Sequence, residues 1–139
     1  MCGINISKVL IGGLLAGLVI NIGEYLLNEV LLAEQWAAVS AARKLPPQEG
    51  SMIVWFIIWG FVIGIGITML YAAIRPRCGA GPKTAICAGL CVWFFTWVMG
   101  FGSTAILGVF PWGVVVWSLI WGIVEVPLAA LVGAWIYAE

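Results

Sequence analysis

Four long apolar segments, separated by short connections, constrain the fold of this chain more than any other feature. They cover residues 9–33, 52–74, 84–109 and 112–137. Each is at least as long as the ~20 residues that an α-helix needs to cross the apolar core of a bilayer. The turn at Phe110 and Pro111 is so short that the last two helices must be antiparallel neighbours. The sequence predicts an all-α fold: an integral membrane four-helix bundle of up-down-up-down topology, forming a single transmembrane domain over residues 1–139.

The composition excludes several classes of function. Hydrophobic residues make up 64% of the chain and charged residues only 9%, whereas soluble domains carry roughly 25% charged residues. The net charge of +0 gives no basic surface for nucleic acid. The absence of histidine and aspartate removes imidazole-ligated metal or haem sites and Ser-His-Asp triads. We therefore expect a protein that is not an enzyme, that holds no cofactor or metal and whose main partner is the lipid bilayer.

Two glutamates deep inside apolar segments are the candidate site residues. Each belongs to a stripe of small and polar residues at helical spacing. The stripe in the first segment is Gly13, Gly17, Asn21, Glu24 and Asn28. The stripe in the last segment is Ser118, Gly122, Glu125, Ala129 and Gly133. Because a carboxyl group is unfavourable in hydrocarbon, it normally points into a bundle, towards a partner or a water-filled cavity.

The two glutamates are expected at similar depth. At 1.5 Å rise per residue, Glu24 lies roughly 24 Å from Lys8 and Glu125 roughly 20 Å from Ala138, measured from the same side. They could therefore face each other or a shared pocket. With no lysine or arginine at that depth, at least one carboxyl should be protonated at neutral pH and donate to Asn21, Asn28 or a backbone carbonyl.

Pro127 lies beside the second glutamate. It removes a backbone donor, frees the Ile123 carbonyl and kinks the last helix next to Glu125. A free carbonyl beside a carboxyl group is typical of a proton or cation site. The alternative is a packing kink with a protonated glutamate that holds two helices together.

Pairs of glycines four residues apart indicate close packing between helices. The pairs are Gly13 with Gly17 and Gly60 with Gly64, and Gly122 and Gly133 lie on the stripe of the last segment. The spacing does not specify whether the partner helix belongs to this chain or to another one. Gly100 and Gly102 in the third segment favour close packing or a local helix irregularity.

The positive charges predict the orientation. The side that holds both termini carries Lys8, Arg75, Arg77 and Lys83. The other side carries Arg43 and Lys44, diluted by Glu34 and Glu49. Because basic residues accumulate on the cytoplasmic side, both termini are expected in the cytoplasm.

The connections and aromatic residues add three expectations. Residues 34–44 are alanine-rich, so they either continue the first helix or lie along the membrane surface before Pro46, and Ser51 is a plausible N-cap of the second span. Trp55 to Val62 resembles Trp117 to Val124, and Ala-Gly-Leu occurs at 16–18 and 88–90, which suggests a tandem duplication of a two-helix hairpin.

The deep tryptophans either line a groove for a flat hydrophobic ligand or face lipid and fill the bundle. They are Trp59, Trp93, Trp97, Trp117 and Trp121.

Several segments resemble those of an uncharacterised group of small bacterial four-helix membrane proteins. They are Ser7 to Gly13, Arg75 to Arg77, Gly81 to Ala85, Trp121 to Glu125 and Gly133 to Tyr137. The resemblance spans nearly the whole chain and implies a bacterial inner-membrane location. It implies no activity and no functional residue.

Three functions remain open, and the sequence favours the first over the two alternatives. The first is an accessory or structural subunit of a larger membrane complex, which suits the small size and the glycine faces that could pack outward. The second is a small oligomeric transporter or channel that uses Glu24 and Glu125 for protons or cations. The third is a binder of a hydrophobic ligand or pigment. We expect partner subunits or a homo-oligomer in the first two cases.

Overall fold

A computed structural model describes residues 3–138, which form five helices. The helices are α1 (Ile6–Leu31), α2 (Ala33–Arg43), α3 (Gly50–Cys78), α4 (Pro82–Ile106) and α5 (Trp112–Ala138). All except α2 are long and apolar enough to cross a membrane. The predictions of a helical chain and of four long apolar helices are therefore confirmed, with ends that differ by a few residues from the predicted spans.

The ends of the helices follow local backbone chemistry. The side chain of Asn5 caps α1 by accepting a hydrogen bond from the Lys8 backbone N–H at 3.1 Å. The alanine-rich segment forms a separate helix, α2, because the backbone at Leu32 leaves the helical conformation (φ −107°, ψ 11°). Helix α3 begins at Gly50, with Glu49 at the cap position, so the prediction of Ser51 as the N-cap was wrong by two residues.

Glycine contacts hold α1 against α3. Gly13 lies on the backbone of Ile65, and Gly17 lies on Phe61. Gly64 lies against the backbone of Gly17, where a Cβ would come within 2.6 Å of the Gly17 Cα. The small side chains allow the two backbones to approach, as close-packed membrane helices require. The partner of both predicted glycine pairs is therefore within this chain.

Two groups of aromatic contacts mark the ends of the bundle. At one end the Tyr137 hydroxyl accepts from the Asn5 N–H at 3.3 Å, and the Tyr71 and Tyr137 rings meet edge to face. We call this the Tyr137 end. At the other end the ring of Trp36 on α2 meets that of Phe110 edge to face, and Arg43 donates to the Gly108 carbonyl. We call this the Trp36 end.

Two of the long helices contain π-helical segments. They span Leu26–Leu31 in α1 and Phe94–Phe101 in α4. The Leu32 N–H donates to the Leu27 carbonyl at 2.8 Å, which is the i to i−5 bond of a π-turn. The segment in α4 includes Gly100 and is followed directly by Gly102, so the predicted irregularity lies there. Such segments occur frequently at functional sites.

Candidate functional site

The side chain of Glu125, a residue of α5, extends into the bundle, and its carboxyl group packs against α1. The residue is only 5% exposed. The carboxyl rests on Gly23, where a Cβ would come within 2.8 Å of the Glu125 Cδ. Only glycine leaves room for it at that position. Sequence reasoning missed Gly23, although its place next to Glu24 was a signal.

Glu24 and Glu125 are neighbours. Glu24 lies on α1 two residues before its π-helical segment, and its carboxyl group lies beside that of Glu125 on α5, which packs on the adjacent Gly23. Two residues from opposite ends of the sequence therefore meet in the interior. The expectation of similar depth, drawn from helix rise alone, agrees with this placement.

Asn28 connects the carboxyl pair with the Trp36 end. Its side-chain N–H group donates to Glu24 Oε2 at 2.8 Å and to the Glu24 backbone carbonyl at 2.9 Å. Its side-chain oxygen accepts from the Trp36 indole N–H at 2.8 Å. The hydrogen bonds from Trp36 through Asn28 to Glu24 thus form a polar chain of side chains that connects α2 with the carboxyl pair.

Two indole groups lie beside the pair, one on α4 and one on α5 itself. Trp97 of the π-helical segment in α4 lies beside the Glu24 carboxyl, and Trp121 lies beside that of Glu125, one turn earlier on α5. Gly122 makes room for the ring of Trp97, because a Cβ there would be 3.0 Å from its Cδ1. Sequence reasoning named both tryptophans only as part of a ligand groove.

Several polar atoms of this cluster are buried and unpartnered. They are Glu24 Oε1, Glu125 Oε1, Glu125 Oε2 and the Trp121 indole nitrogen, none of which has a hydrogen-bond partner among residues 3–138. A buried polar atom without a partner is unfavourable by roughly 1–3 kcal/mol. These four atoms form a polar cluster inside an otherwise apolar bundle.

Two predicted members of the site point elsewhere. The Asn21 side chain donates to the Ile57 carbonyl of α3 at 3.2 Å and packs on Gly60. Pro127 packs on α4, where a Cβ on Gly89 would come within 2.8 Å of the proline Cα. These contacts give Asn21 and Pro127 packing roles. The other two predicted glycines also pack internally, Gly122 against α4 and Gly133 against α1 and α3.

An apolar cluster separates the carboxyl pair from the Tyr137 end. It contains buried residues of α1, α3 and α5, all between 0% and 1% exposed: Ala16, Ile20, Ile67, Val126 and Ala129. The polar chain through Asn28 and this apolar cluster lie on opposite sides of the pair. The site is therefore polar towards one end of the bundle and sealed towards the other.

The deep tryptophans divide into two groups. Trp59 and Trp117 are 60% and 58% exposed on the outside of the bundle. Trp93 turns inward and donates its indole N–H to the Leu119 carbonyl at 3.0 Å, and Trp97 and Trp121 face the carboxyl pair. The five rings therefore do not line one groove.

No protein-family model, curated protein or solved structure matches this chain. The chemistry of the site must therefore be argued from its own groups. These are two adjacent carboxyl groups, one amide and two indole donors, in a largely apolar interior. The set can bind and release a positive charge.

Proposed function

We propose that this chain is a bacterial inner-membrane protein that crosses the membrane four times, with both termini in the cytoplasm. The up-down-up-down topology is supported by the contacts of Asn5 with Tyr137 at one end and of Trp36 with Phe110 at the other. The cytoplasmic assignment of the Tyr137 end is supported by the excess of basic residues there. They are Lys8, Arg75, Arg77 and Lys83, against Arg43 and Lys44 at the Trp36 end.

In this membrane the protein handles protons or cations, as a small transporter or channel with Glu24 and Glu125 as its binding site. The observation that carries the proposal is the meeting of these two carboxyl groups inside the bundle, with three of their four oxygens buried and unpartnered. Ionisable residues inside membrane spans are expensive and mark ion and proton pathways. Four helices leave little room for a pathway in one protomer, so the working unit is a homo-oligomer.

The glycine contacts favour this function over a purely structural one. The case for an accessory subunit rested partly on glycine faces that could pack against other proteins. Gly13, Gly17, Gly60 and Gly64 are instead used between α1 and α3 of the same chain.

The test is ion flux in liposomes that contain the purified protein. A pH-sensitive dye inside the vesicles reports protons, and ion-sensitive dyes report sodium and potassium. We expect flux from the native chain and the level of empty liposomes from the Glu24→Gln and Glu125→Gln variants. The control is Glu29→Gln, the same change at an exposed position of α1. Native flux in both test variants would refute the proposal.

A second function, as a subunit of a larger membrane complex, is favoured by the first part of α3. Residues 51–59 are exposed on every face of the helix. The large rings of Trp55, Phe56 and Trp59 are 60–68% exposed. A helix segment that no part of its own chain covers offers a surface on which a partner helix could pack.

Native purification in mild detergent tests this second function. A stoichiometric partner should co-purify with the chain and should be lost from the Trp55→Ala, Trp59→Ala double variant. Trp135→Ala is the control, because Trp135 is equally exposed (64%) near the Tyr137 end. A partner retained by the double variant would exclude α3 as its docking surface.

A further inference from the structure

The hydrogen-bond inventory around the carboxyl pair identifies the ion. The two carboxyl groups have four oxygens, and only Glu24 Oε2 accepts a hydrogen bond, from Asn28 at 2.8 Å. The other three oxygens have no donor within the described part of the chain. A proton placed between Glu24 and Glu125 makes one of them a carboxylic acid. Its O–H group then donates to an oxygen of the other carboxyl group.

The neighbouring groups are donors, which favours a carboxyl pair and disfavours a metal ion. The indole N–H groups of Trp97 and Trp121 lie beside Glu24 and Glu125, respectively, and an indole nitrogen donates only. Asn28 donates to one of the four oxygens, and a shared proton would engage one oxygen of each carboxyl group. The indole N–H of Trp121, which has no partner among residues 3–138, is then available to the fourth oxygen, on Glu125. A metal ion would instead face the positive ends of these N–H groups.

The oxygen count also argues against a metal ion. Hard cations such as Ca²⁺ take six to eight oxygen ligands, whereas this pair has four oxygens, one of them already bonded to Asn28. No group of three or more acidic, cysteine or histidine side chains occurs among residues 3–138. The set of ligands that a metal requires is therefore incomplete.

Among the described residues no cationic side chain offsets the charge of the two carboxyl groups, so a proton between them is needed to remove their repulsion. The ionisable groups that face the pair are the carboxyls themselves, Glu24 from α1 and Glu125 from α5. Helix α4 contributes the neutral Trp97, α3 contributes the apolar Ile67 to the adjoining cluster, and α2 contributes the neutral Trp36 through Asn28. Two adjacent carboxylates without a cation repel each other in an apolar interior, so one ionises only while the other stays protonated.

We propose that the ion bound at this site is a single proton, shared between the Glu24 and Glu125 carboxyl groups and completed by the N–H donors of Asn28, Trp97 and Trp121. This inference rests on the proposed function and narrows its ion to the proton. The polar route through Asn28 and the apolar seal on the opposite side make the Trp36 end the side of exchange.

The experiment is infrared spectroscopy of the protein in lipid vesicles during a pH titration, with calorimetry of sodium, potassium, magnesium and calcium at constant pH. We expect the carbonyl band of a protonated carboxylic acid, equivalent to a single proton per chain. It should be shifted in Glu24→Gln and in Glu125→Gln, because the remaining buried carboxyl stays protonated but has no second carboxyl with which to share the proton. It should be unchanged in Glu29→Gln. None of the four cations should release heat.

The outcomes separate this inference from the proposed function. Binding of a metal ion that is lost in Glu24→Gln overturns the assignment of the proton but leaves an ion site at the pair. Spectra and calorimetry identical to those of Glu29→Gln in both test variants overturn both.

A further variant covers the case in which a glutamine variant does not fold. Trp121→Phe removes one N–H donor and keeps the ring. The carboxylic acid band should shift in this variant, because the indole N–H that lies beside Glu125 is removed. An unchanged band would contradict the shared-proton arrangement.

Discussion

Replacement of Gly64 by alanine tests whether the contact between α1 and α3 holds the bundle together. The new Cβ would lie 2.6 Å from the Gly17 Cα and closer still to the Gly17 nitrogen and the Gly13 carbonyl oxygen. All three are backbone atoms, so no side-chain rotation relieves the clash. The two helices must separate, and the neighbouring contact of Gly13 with Ile65 loosens as well.

The control is Gly66→Ala, in the same helix. A Cβ at Gly66 meets nothing within 4 Å. Both variants gain the ~0.5–1 kcal/mol by which alanine exceeds glycine in a helix, so this contribution cancels in the comparison. The remaining difference is the overpacking term of about 1–3 kcal/mol. We therefore expect Gly64→Ala to be less stable than Gly66→Ala by that amount.

The measurement is reversible unfolding in mixed micelles, with the free energy of unfolding extrapolated to the native micelle composition. Flux activity provides a second readout, because a displaced α1 also moves Glu24 away from Glu125. Equal stability of the two alanine variants would refute the reasoning. The glycine pairs would then pack against another chain, and the intramolecular contact would not contribute to stability.

Three further predictions concern the site and the topology. Gly23→Ala should push the Glu125 carboxyl off α1 and shift the protonated carboxyl band, with folding checked by circular dichroism; a native band would show that the close contact is unimportant. Trp36→Phe removes the donor to Asn28, so we expect faster proton exchange in stopped-flow measurements, and an unchanged rate would contradict a role of α2 in access. With the other cysteines replaced by serine, Cys78 should react with a membrane-impermeant maleimide in inverted vesicles only; reaction in right-side-out vesicles would reverse the proposed orientation.

The helices were predictable because length and apolar content suffice to identify a membrane span. The first span was predicted as 9–33, and the corresponding long apolar helix is Ile6–Leu31. For residues 34–44 the sequence left open whether they continue the first helix or leave it to lie along the membrane surface. The reason is that the break at Leu32 contains no proline or glycine from which it could be predicted. Similarly, the N-cap of α3 is formed by the backbone of Glu49, a residue with no special preference for caps.

The site was predictable only in part, because the spans are apolar on nearly all faces. Helix rise was enough to bring Glu24 and Glu125 to one depth. The rotation of each helix about its axis decides which side chains meet the pair, and an all-round apolar helix carries little information about that rotation. Asn21 was therefore assigned to the site although it faces Ile57, while Gly23 was missed.

The predicted duplication has a counterpart in the packing of the two hairpins. The glycine of the first Ala-Gly-Leu, Gly17, packs on Phe61 in the second helix of its hairpin. The glycine of the second Ala-Gly-Leu, Gly89, packs on Pro127 in the second helix of its own hairpin. In the alignment of Trp55 to Val62 with Trp117 to Val124, however, Pro127 corresponds to Ile65 and not to Phe61, so the two contacts are displaced by about one helical turn and the duplication stays a prediction.

The carboxyl pair does not follow this repeat. Aligned on the two motifs, Glu24 of the first hairpin corresponds to Thr96 of the second, and Glu125 corresponds to Ile63 of the first. Each hairpin therefore supplies one carboxyl group, from a position that has no ionisable equivalent in the other. A hairpin alone can bury a carboxyl but cannot share a proton between two, so the proposed binding site exists only where the two halves of the chain meet.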